Sequence, residues 1–153
     1  MINEFVGKYR FLSNFDDKEV TYKGLTFLNS EACFQAQKSL TETGKSVFTI
    51  MNPSDAKKLG RKVKLRKDWE KVKADIMLEI VRAKFSQNKD IAKKLLDTGD
   101  QDLTEGNTWH DNYFGVCSCD RCINETKRNV LGKVLMIVRK ELREKGGVTG
   151  SKL

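Results

Sequence analysis

From Asp68 onward, Val72, Ile76, Ile80 and Ala83 recur at helical spacing, and Met77, Val81 and Phe85 widen the apolar face they make. A helix that is apolar over so wide an arc must be covered on more than one side, so it predicts a central helix with other elements packed around it. Shorter segments supply the cover. Val20, Tyr22, Leu25 and Phe27 flank Lys23-Gly24 and read as a β-hairpin. Ser30 reads as the N-cap of a helix running to about Leu40, with Cys33, Ala36 and Leu40 on its packed side. Asn52 or Ser54 caps a short helix that has Pro53 in its first turn and ends near Gly60. Lys89 to Asp97 forms a further helix stopped at Gly99. A last helix, about Asn129 to Lys145, carries the stripe Leu131, Val134, Leu135, Val138 and Leu142. Thr104 to Lys127 lacks a period and reads as a long ordered loop, a kind of segment that is often functional. The expected fold is α+β: a mostly helical single domain, residues 1–145, with a small β-sheet or hairpin, then a flexible C-terminal tail, residues 146–153.

The 153 residues suit one core at about 150 residues per domain. No stretch approaches the roughly 18 apolar residues of a membrane span, and the first ten residues lack the apolar block of a signal peptide. Four cysteines without an export signal are expected as reduced thiols, which predicts a cytoplasmic location. The terminal Ser151-Lys152-Leu153 matches a peroxisomal address but reads better as a frayed end. A net charge of +8 favours anionic partners, either nucleic acid or a phosphorylated small molecule. Seven cations (Lys57, Lys58, Arg61, Lys62, Lys64, Arg66 and Lys67) fall within eleven residues between two expected helices. Such a run is either a solvated face or a phosphate site.

Three constellations bear chemistry. Glu31, Gln35 and Lys38 share one helix face, with Glu31 and Lys38 about 10 Å apart along the axis at ~1.5 Å per residue. They either converge on a ligand or form an ordinary wet face. The stretch Glu105 to Gly115 gathers acid, amide and aromatic groups, suited to hold a flat base and stabilise a sugar cation, or merely to staple the loop to the core. His110, the only histidine, is assigned no catalytic role. Cys117, Cys119 and Cys122 form C-x-C-x-x-C. Zinc there, with a fourth ligand from His110, Cys33 or Asp120, is the lesser reading beside reduced thiols packing a tight loop. Cys33 reads as a small buried hydrophobe.

Several segments, in order along nearly the whole chain, resemble the NADAR (YbiA-like) family of N-glycosidases. They are Phe11-Leu12-Ser13-Asn14-Phe15, Ser30-Glu31-x-x-Phe34-Gln35-Ala36-Gln37-Lys38, Gly60-Arg61, Leu65-Arg66-Lys67-Asp68-Trp69, Asp111-Asn112-Tyr113-Phe114-Gly115 and Asn129-x-Leu131-Gly132-Lys133-x-Leu135-Met136. The resemblance implies a compact, mostly helical fold and cleavage of an N-glycosidic bond at a phosphorylated ribose. The implied substrates are ADP-ribose on guanine in nucleic acid or early riboflavin-pathway intermediates. It also implies Glu31, Trp69 and Asp111 as functional positions. Where the family has a tryptophan, Phe114 keeps the stacking surface without the indole N–H, and the cysteine triplet replaces a glycine-rich stretch.

On that basis Glu31, Lys38 and Asp111 are the expected catalytic residues, with Lys38 a nucleophile by an imine route or a bystander to direct hydrolysis. Asn14, Gln35, Arg61, Trp69, Phe114 and Asn129 are the expected substrate-binding residues: Arg61 for phosphate, Trp69 and Phe114 for stacking, Asn14 and Asn129 for hydroxyls or phosphate. No cofactor is required, no catalytic metal is assigned, and the partner is a phosphoribosyl or ADP-ribosyl substrate, with ADP-ribosylated nucleic acid included and no membrane. The competing readings are a non-enzymatic ADP-ribose or nucleic-acid binding module and a small zinc-dependent nucleic-acid binder.

Overall fold

A computed structural model describes residues 1–151, with side chains through Gly146. The chain forms two compact units, residues 14–88 and residues 1–13 together with 89 onward.

The 14–88 unit opens with the expected hairpin, β1 (Val20–Tyr22) paired antiparallel with β2 (Leu25–Phe27). Its turn holds Lys23 and Gly24 at positive φ, a conformation that glycine accepts without cost. Helices α1 (Ser30–Ala36), α2 (Glu42–Ser46), α3 (Pro53–Gly60) and α4 (Trp69–Gln87) follow. The wide face of α4 is buried as its periodicity requires: Met77, Ile80, Val81 and Phe85 are nearly inaccessible, with Phe27, Phe48, Ala32 and Cys33 in the same core. Each fully buried Phe or Ile of this kind contributes about 1.5–3 kcal/mol. The end of α4 also completes the sheet edge. Thr21 N–H donates to Gln87 Oε1 and Gln87 Nε2 to Thr21 O, both at 2.8 Å, so a side-chain amide substitutes for a third strand. Tyr22 OH ties β1 to α4 by donating to Glu79 Oε1 at 2.5 Å.

Two local expectations are corrected. Asn29, not Ser30, caps α1: its Oδ1 accepts from Ala32 N–H at 2.7 Å. The helix also stops at Ala36, short of Leu40, which is 67% exposed rather than packed. The reason lies outside the helix. Gln37 Nε2 folds back on Cys33 O, Arg66 N–H takes Lys38 O at 2.9 Å and Arg66 Nη1 donates to Gln37 O. The carbonyls of Gln37 and Lys38 are thus taken by a residue far along the chain, and the N–H groups of Gln37, Lys38 and Ser39 turn to the carbonyls three residues back, closing the helix in a tightened turn. In α3 the cap is Asn52, whose Oδ1 accepts from Asp55 N–H at 2.8 Å, with Pro53 in the first turn as expected. Helix α2 and the 3₁₀ turns Gly7–Leu12 and Val47–Ile50 have no counterpart in the apolar periodicity.

Lys84 sits on the buried side of α4 and is 1% exposed. Burial pushes its ammonium down to about 8, with the Asp16 carboxylate opposing and Lys18 reinforcing the shift. Below that pH the amine is charged in both folded and unfolded chains. Above it, up to the unfolded value of about 10.4, the unfolded chain binds the extra proton, so stability rises with pH. The difference is worth about 3 kcal/mol at ~1.36 kcal/mol per unit. Lys84→Met should therefore lack a rise of that size between pH 7 and 10.5 that wild type shows in urea unfolding. Parallel profiles for the two proteins would contradict it.

In the other unit, α5 (Lys89–Asp97) ends as expected at Gly99, which has φ +65°. The long loop contains one small parallel pair, β3 (Gly106–Asn107) with β4 (Val116–Cys117). Helix α6 (Val130–Ser151) buries Leu131, Val134, Leu135 and Val138, and Ile91 and Leu95 of α5 are buried in the same unit. Arg139 is buried and donates to Thr98 Oγ1 and Gln101 O at 2.9 and 2.8 Å, while Arg143 reaches Asp100 and Gly99 O. These two arginines hold the turn after α5. Helix α6 runs six residues beyond the expected end at Lys145, across much of the expected tail, while Lys152 and Leu153 lie outside the described residues. Among the described residues no helix is long and apolar enough to cross a membrane.

Candidate active site

The polar face of α1 is not a wet face. Glu31 and Gln35 are 9% and 7% exposed, and Gln35 Nε2 donates to Glu31 Oε2 at 2.6 Å. A carboxylate is buried only where hydrogen bonds replace its hydration. The Asn14 loop anchors the start of this helix. Asn14 O accepts from Glu31 N–H at 3.0 Å, Asn14 Oδ1 accepts from Ser30 Oγ at 3.0 Å, and Asn14 Nδ2 meets Met77 Sδ at 3.5 Å. Asn14 thus positions the backbone beneath Glu31.

Lys38 lies half-buried one turn beyond. Its Nζ donates to Gly60 O at 3.2 Å and stands 5.9 Å from the centroid of the Trp69 ring. Trp69, at the start of α4, is buried and packs against Phe34 of α1 with centroids 5.1 Å apart and planes at 52°. Burial lowers the basicity of Lys38 below the ordinary lysine value. Arg61 and Lys73 push the same way, and the negative charge of Glu31 opposes them. Glu31, Gln35, Lys38, Trp69 and Phe34 are therefore gathered around the α1 face as one constellation.

Gly60 is a member that sequence reasoning left without a role. A Cβ there would lie 1.9 Å from Gln35 Oε1, so a larger residue at 60 would push the Gln35 amide out of its present place. That same Oε1 is buried and has no hydrogen-bond partner among the described residues, a state that ordinarily costs about 1–3 kcal/mol. The signal was present in the sequence only as the pair Gly60-Arg61. Nothing in it linked a glycine to a glutamine 25 residues earlier.

The cationic run divides by function. Arg66 is spent on structure: Nε and Nη2 grip Asp68 at 2.6 and 2.9 Å, in addition to its bonds to the end of α1. This pairing also explains why Asp68 makes no cap bond for α4. Arg61, Lys62, Lys64 and Lys67 are exposed, and Arg61 stands at the C-terminal end of α3 next to Gly60.

The loop residues are placed separately, in the unit containing α5 and α6. Asp111 Oδ1 accepts from Tyr113 N–H at 3.1 Å and Phe114 N–H at 2.9 Å. Asn107 brackets the same turn, accepting from Trp109 and Asp111 N–H and donating to Asp111 O at 2.8 Å. Phe114 is part-exposed and meets Tyr113 edge-on, 4.7 Å between centroids. Asn129 has φ +49°, and its amide is engaged at both ends: Oδ1 accepts from Glu105 N–H at 3.0 Å and Nδ2 donates to Leu103 O at 2.9 Å. His110, Cys117, Cys119 and Cys122 come together in the same loop. Cys33 is instead buried in α1, as a small hydrophobe.

Comparison with known proteins accords with this geometry. The NADAR domain profile matches residues 3–143. An N-glycosidase of Nostoc punctiforme is 35% identical over 148 residues, 93% of this chain and 91% of the relative. The N-glycosidase YbiA of Escherichia coli K12 is 35% identical over 137 residues, 88% and 82% of the two chains. A riboflavin biosynthesis protein of Vibrio vulnificus is 35% identical over 137 residues, which make up 36% of that longer protein. The NMR structure of the E. coli protein YbiA superposes with a TM-score of 0.79 at 31% identity, covering 95% of this chain and 89% of that one. The helical α+β fold and the resemblance in the motifs thus converge, and the chain belongs to the NADAR domain family.

Proposed function

We propose that this protein is an N-glycosidase that cleaves the bond between a base nitrogen and C1′ of a phosphorylated ribose. The observation that carries the reading is the buried Glu31–Gln35 pair one turn from an amine of lowered basicity, beside the Trp69 ring. Relatives named N-glycosidases, 35% identical over most of their length, support the reaction class.

Breaking a C1′–N bond develops positive charge on the sugar. The Glu31 carboxylate, held by Gln35, stabilises that charge. Neutral Lys38 Nζ attacks C1′ as the glycosidic bond breaks, and the departing nitrogen keeps the bonding electrons and takes up a proton. Ring opening gives an imine between Lys38 and the ribose, with a proton passing to the ring oxygen. Water then releases the sugar phosphate and restores the amine. Arg61 and its neighbouring lysines hold the phosphate, Trp69 stacks on the base or adenine, and Asn14 and Gln35 fix the face on which the sugar lies. Asp111 is assigned the second carboxylate, Phe114 a stacking surface and Asn129 the setting of its loop. The first two assignments rest on the motif resemblance, and that of Asn129 on its bonds to Glu105 N–H and Leu103 O, in place of the expected contact with substrate. The protein acts without a cofactor in these steps.

The test presents two substrates in separate arms: early riboflavin-pathway intermediates, in which a pyrimidine amine is joined to ribose phosphate, and guanine-ADP-ribosylated DNA. One arm should yield free base, or unmodified DNA, together with the sugar phosphate. Asp111→Asn is the informative variant. An asparagine Oδ1 still accepts the Tyr113 and Phe114 amides, so the turn survives and the rate reports the lost charge. A fall of at least ~100-fold is expected, the scale of a positioned acid–base group. Binding in either arm with no turnover by wild type would identify a binding module instead.

A further inference from the structure

We propose that Cys117, Cys119, Cys122 and His110 form a structural zinc site that fixes the loop carrying Asp111 and Phe114. The four ligand atoms, three Sγ and His110 Nδ1, all lie within 4.8 Å of one another, the only such group among the described residues. Four of the six edges are 3.3 Å for Cys117–Cys119, 3.3 Å for His110–Cys119, 3.4 Å for His110–Cys122 and 3.9 Å for His110–Cys117. A tetrahedron built on Zn–S of about 2.3 Å and Zn–N of about 2.05 Å has edges of about 3.8 and 3.5 Å. The donors thus stand close to the corners of that figure.

Alternative accounts fit less well. A disulfide requires sulfurs about 2.05 Å apart, well inside the 3.3 Å seen between Cys117 and Cys119. Ordinary thiol packing does not call for the imidazole, and His110 reaches the sulfurs only by adopting φ +71°, uncommon for a residue with a side chain. Thiolate and imidazole donors in a closed tetrahedral set select zinc over calcium or magnesium, which take oxygen. With all four positions filled by protein the ion has no open site for substrate, so its task is structural.

The surroundings suit that task. Three thiolates with a divalent ion leave one negative charge, and Lys127 Nζ donates to Cys122 O beside it. Cys117 N–H is held by Asn112 Oδ1 at 2.8 Å, and Cys117 itself ends β4. The regular structure of the loop is a two-residue parallel pair and the 3₁₀ turn Asp120–Cys122, and backbone hydrogen bonds from Arg128, Asn129, Val130 and Leu131 hold Asn112–Gly115 from the far side. A metal linking residue 110 to residues 117–122 closes the segment on both sides of Asp111 and Phe114.

The experiment uses the full chain purified under reducing conditions. Elemental analysis should find one zinc per chain. Cobalt titrated into chelator-stripped protein should give the intense visible bands of a tetrahedral ion with thiolate charge transfer. Cys119 is part-exposed and His110 exposed, so Cys119→Ser and His110→Ala should leave the fold intact. Each should weaken metal binding by more than ~100-fold, beyond the loss caused by removing a residue behind the ligands. Should the variants not fold, wild type alone decides: zinc added to stripped protein must raise its Tm and slow amide exchange across residues 107–122. A stripped chain that binds neither ion, or an affinity that both variants leave unchanged, overturns the proposal. Metal uptake is read without substrate, so it stands or falls apart from the glycosidase activity.

Discussion

Glu31→Gln should reduce turnover of the ribosyl substrate by at least ~100-fold while the protein stays folded. The substitution is nearly isosteric, and the position is 9% exposed, so no cavity opens. What changes is charge. The carboxylate accepts from Gln35 Nε2 at 2.6 Å, and the amide that replaces it can turn its oxygen to the same donor. Its nitrogen is then a donor on the group from which the developing sugar cation needs negative charge. Removing a buried charge also relieves desolvation, so thermal stability should hold or rise. The contrast between a large rate loss and an unchanged or higher Tm, measured by product chromatography and circular dichroism, distinguishes an acting carboxylate from one that merely completes the fold. Equal rates in the two proteins would remove Glu31 from the chemistry.

Lys38→Ala should abolish covalent capture of substrate by borohydride, and Lys38→Arg should do the same while keeping the positive charge. The arginine variant carries the weight of this prediction, because it preserves a cation near Trp69 and Gly60 O and removes only the reactive amine. Turnover should fall at least ~100-fold in both. The pH profile supplies an independent reading. Attack needs the neutral amine, so the wild-type rate should rise as Lys38 loses its proton. Burial and the nearby Arg61 and Lys73 place that rise below the ordinary lysine value. An adduct that persists in Lys38→Arg, located by peptide mass spectrometry on another residue, would reassign the nucleophile. Normal turnover in both variants without any adduct would favour attack by water with Glu31 assisting.

The elements whose form depends on near neighbours in sequence were legible. The α4 face, the hairpin with Lys23-Gly24, the Asn52-Pro53 start and the Gly99 stop each follow from periodicity or from a residue's own backbone preference. The end of α1 was not, because Arg66 decides it from 29 residues along the chain by taking the carbonyls of Gln37 and Lys38. The same limit applies to the polar face of α1. Spacing put Glu31, Gln35 and Lys38 together but left open whether water covered them. Only the packing of α3 and Trp69 on α1 resolves that in favour of burial. The cationic run reads as one patch in sequence, yet Arg66 belongs to the fold and Arg61 to the surface. Among the three candidate fourth ligands beside the cysteine triplet, His110 is the one brought within reach, through a backbone turn that propensity disfavours.

The fit of Gln35 against a bare α-carbon at position 60 ties two sites whose histories would otherwise be separate. A lineage that gained a methyl group at 60 would have to swing aside or shorten 35, and either change would loosen the grip on Glu31. In a combinatorial library, functional clones should therefore retain the glycine–glutamine pair or exchange both members together, and single exchanges at 60 should be depleted even though that residue is named in no step of the reaction.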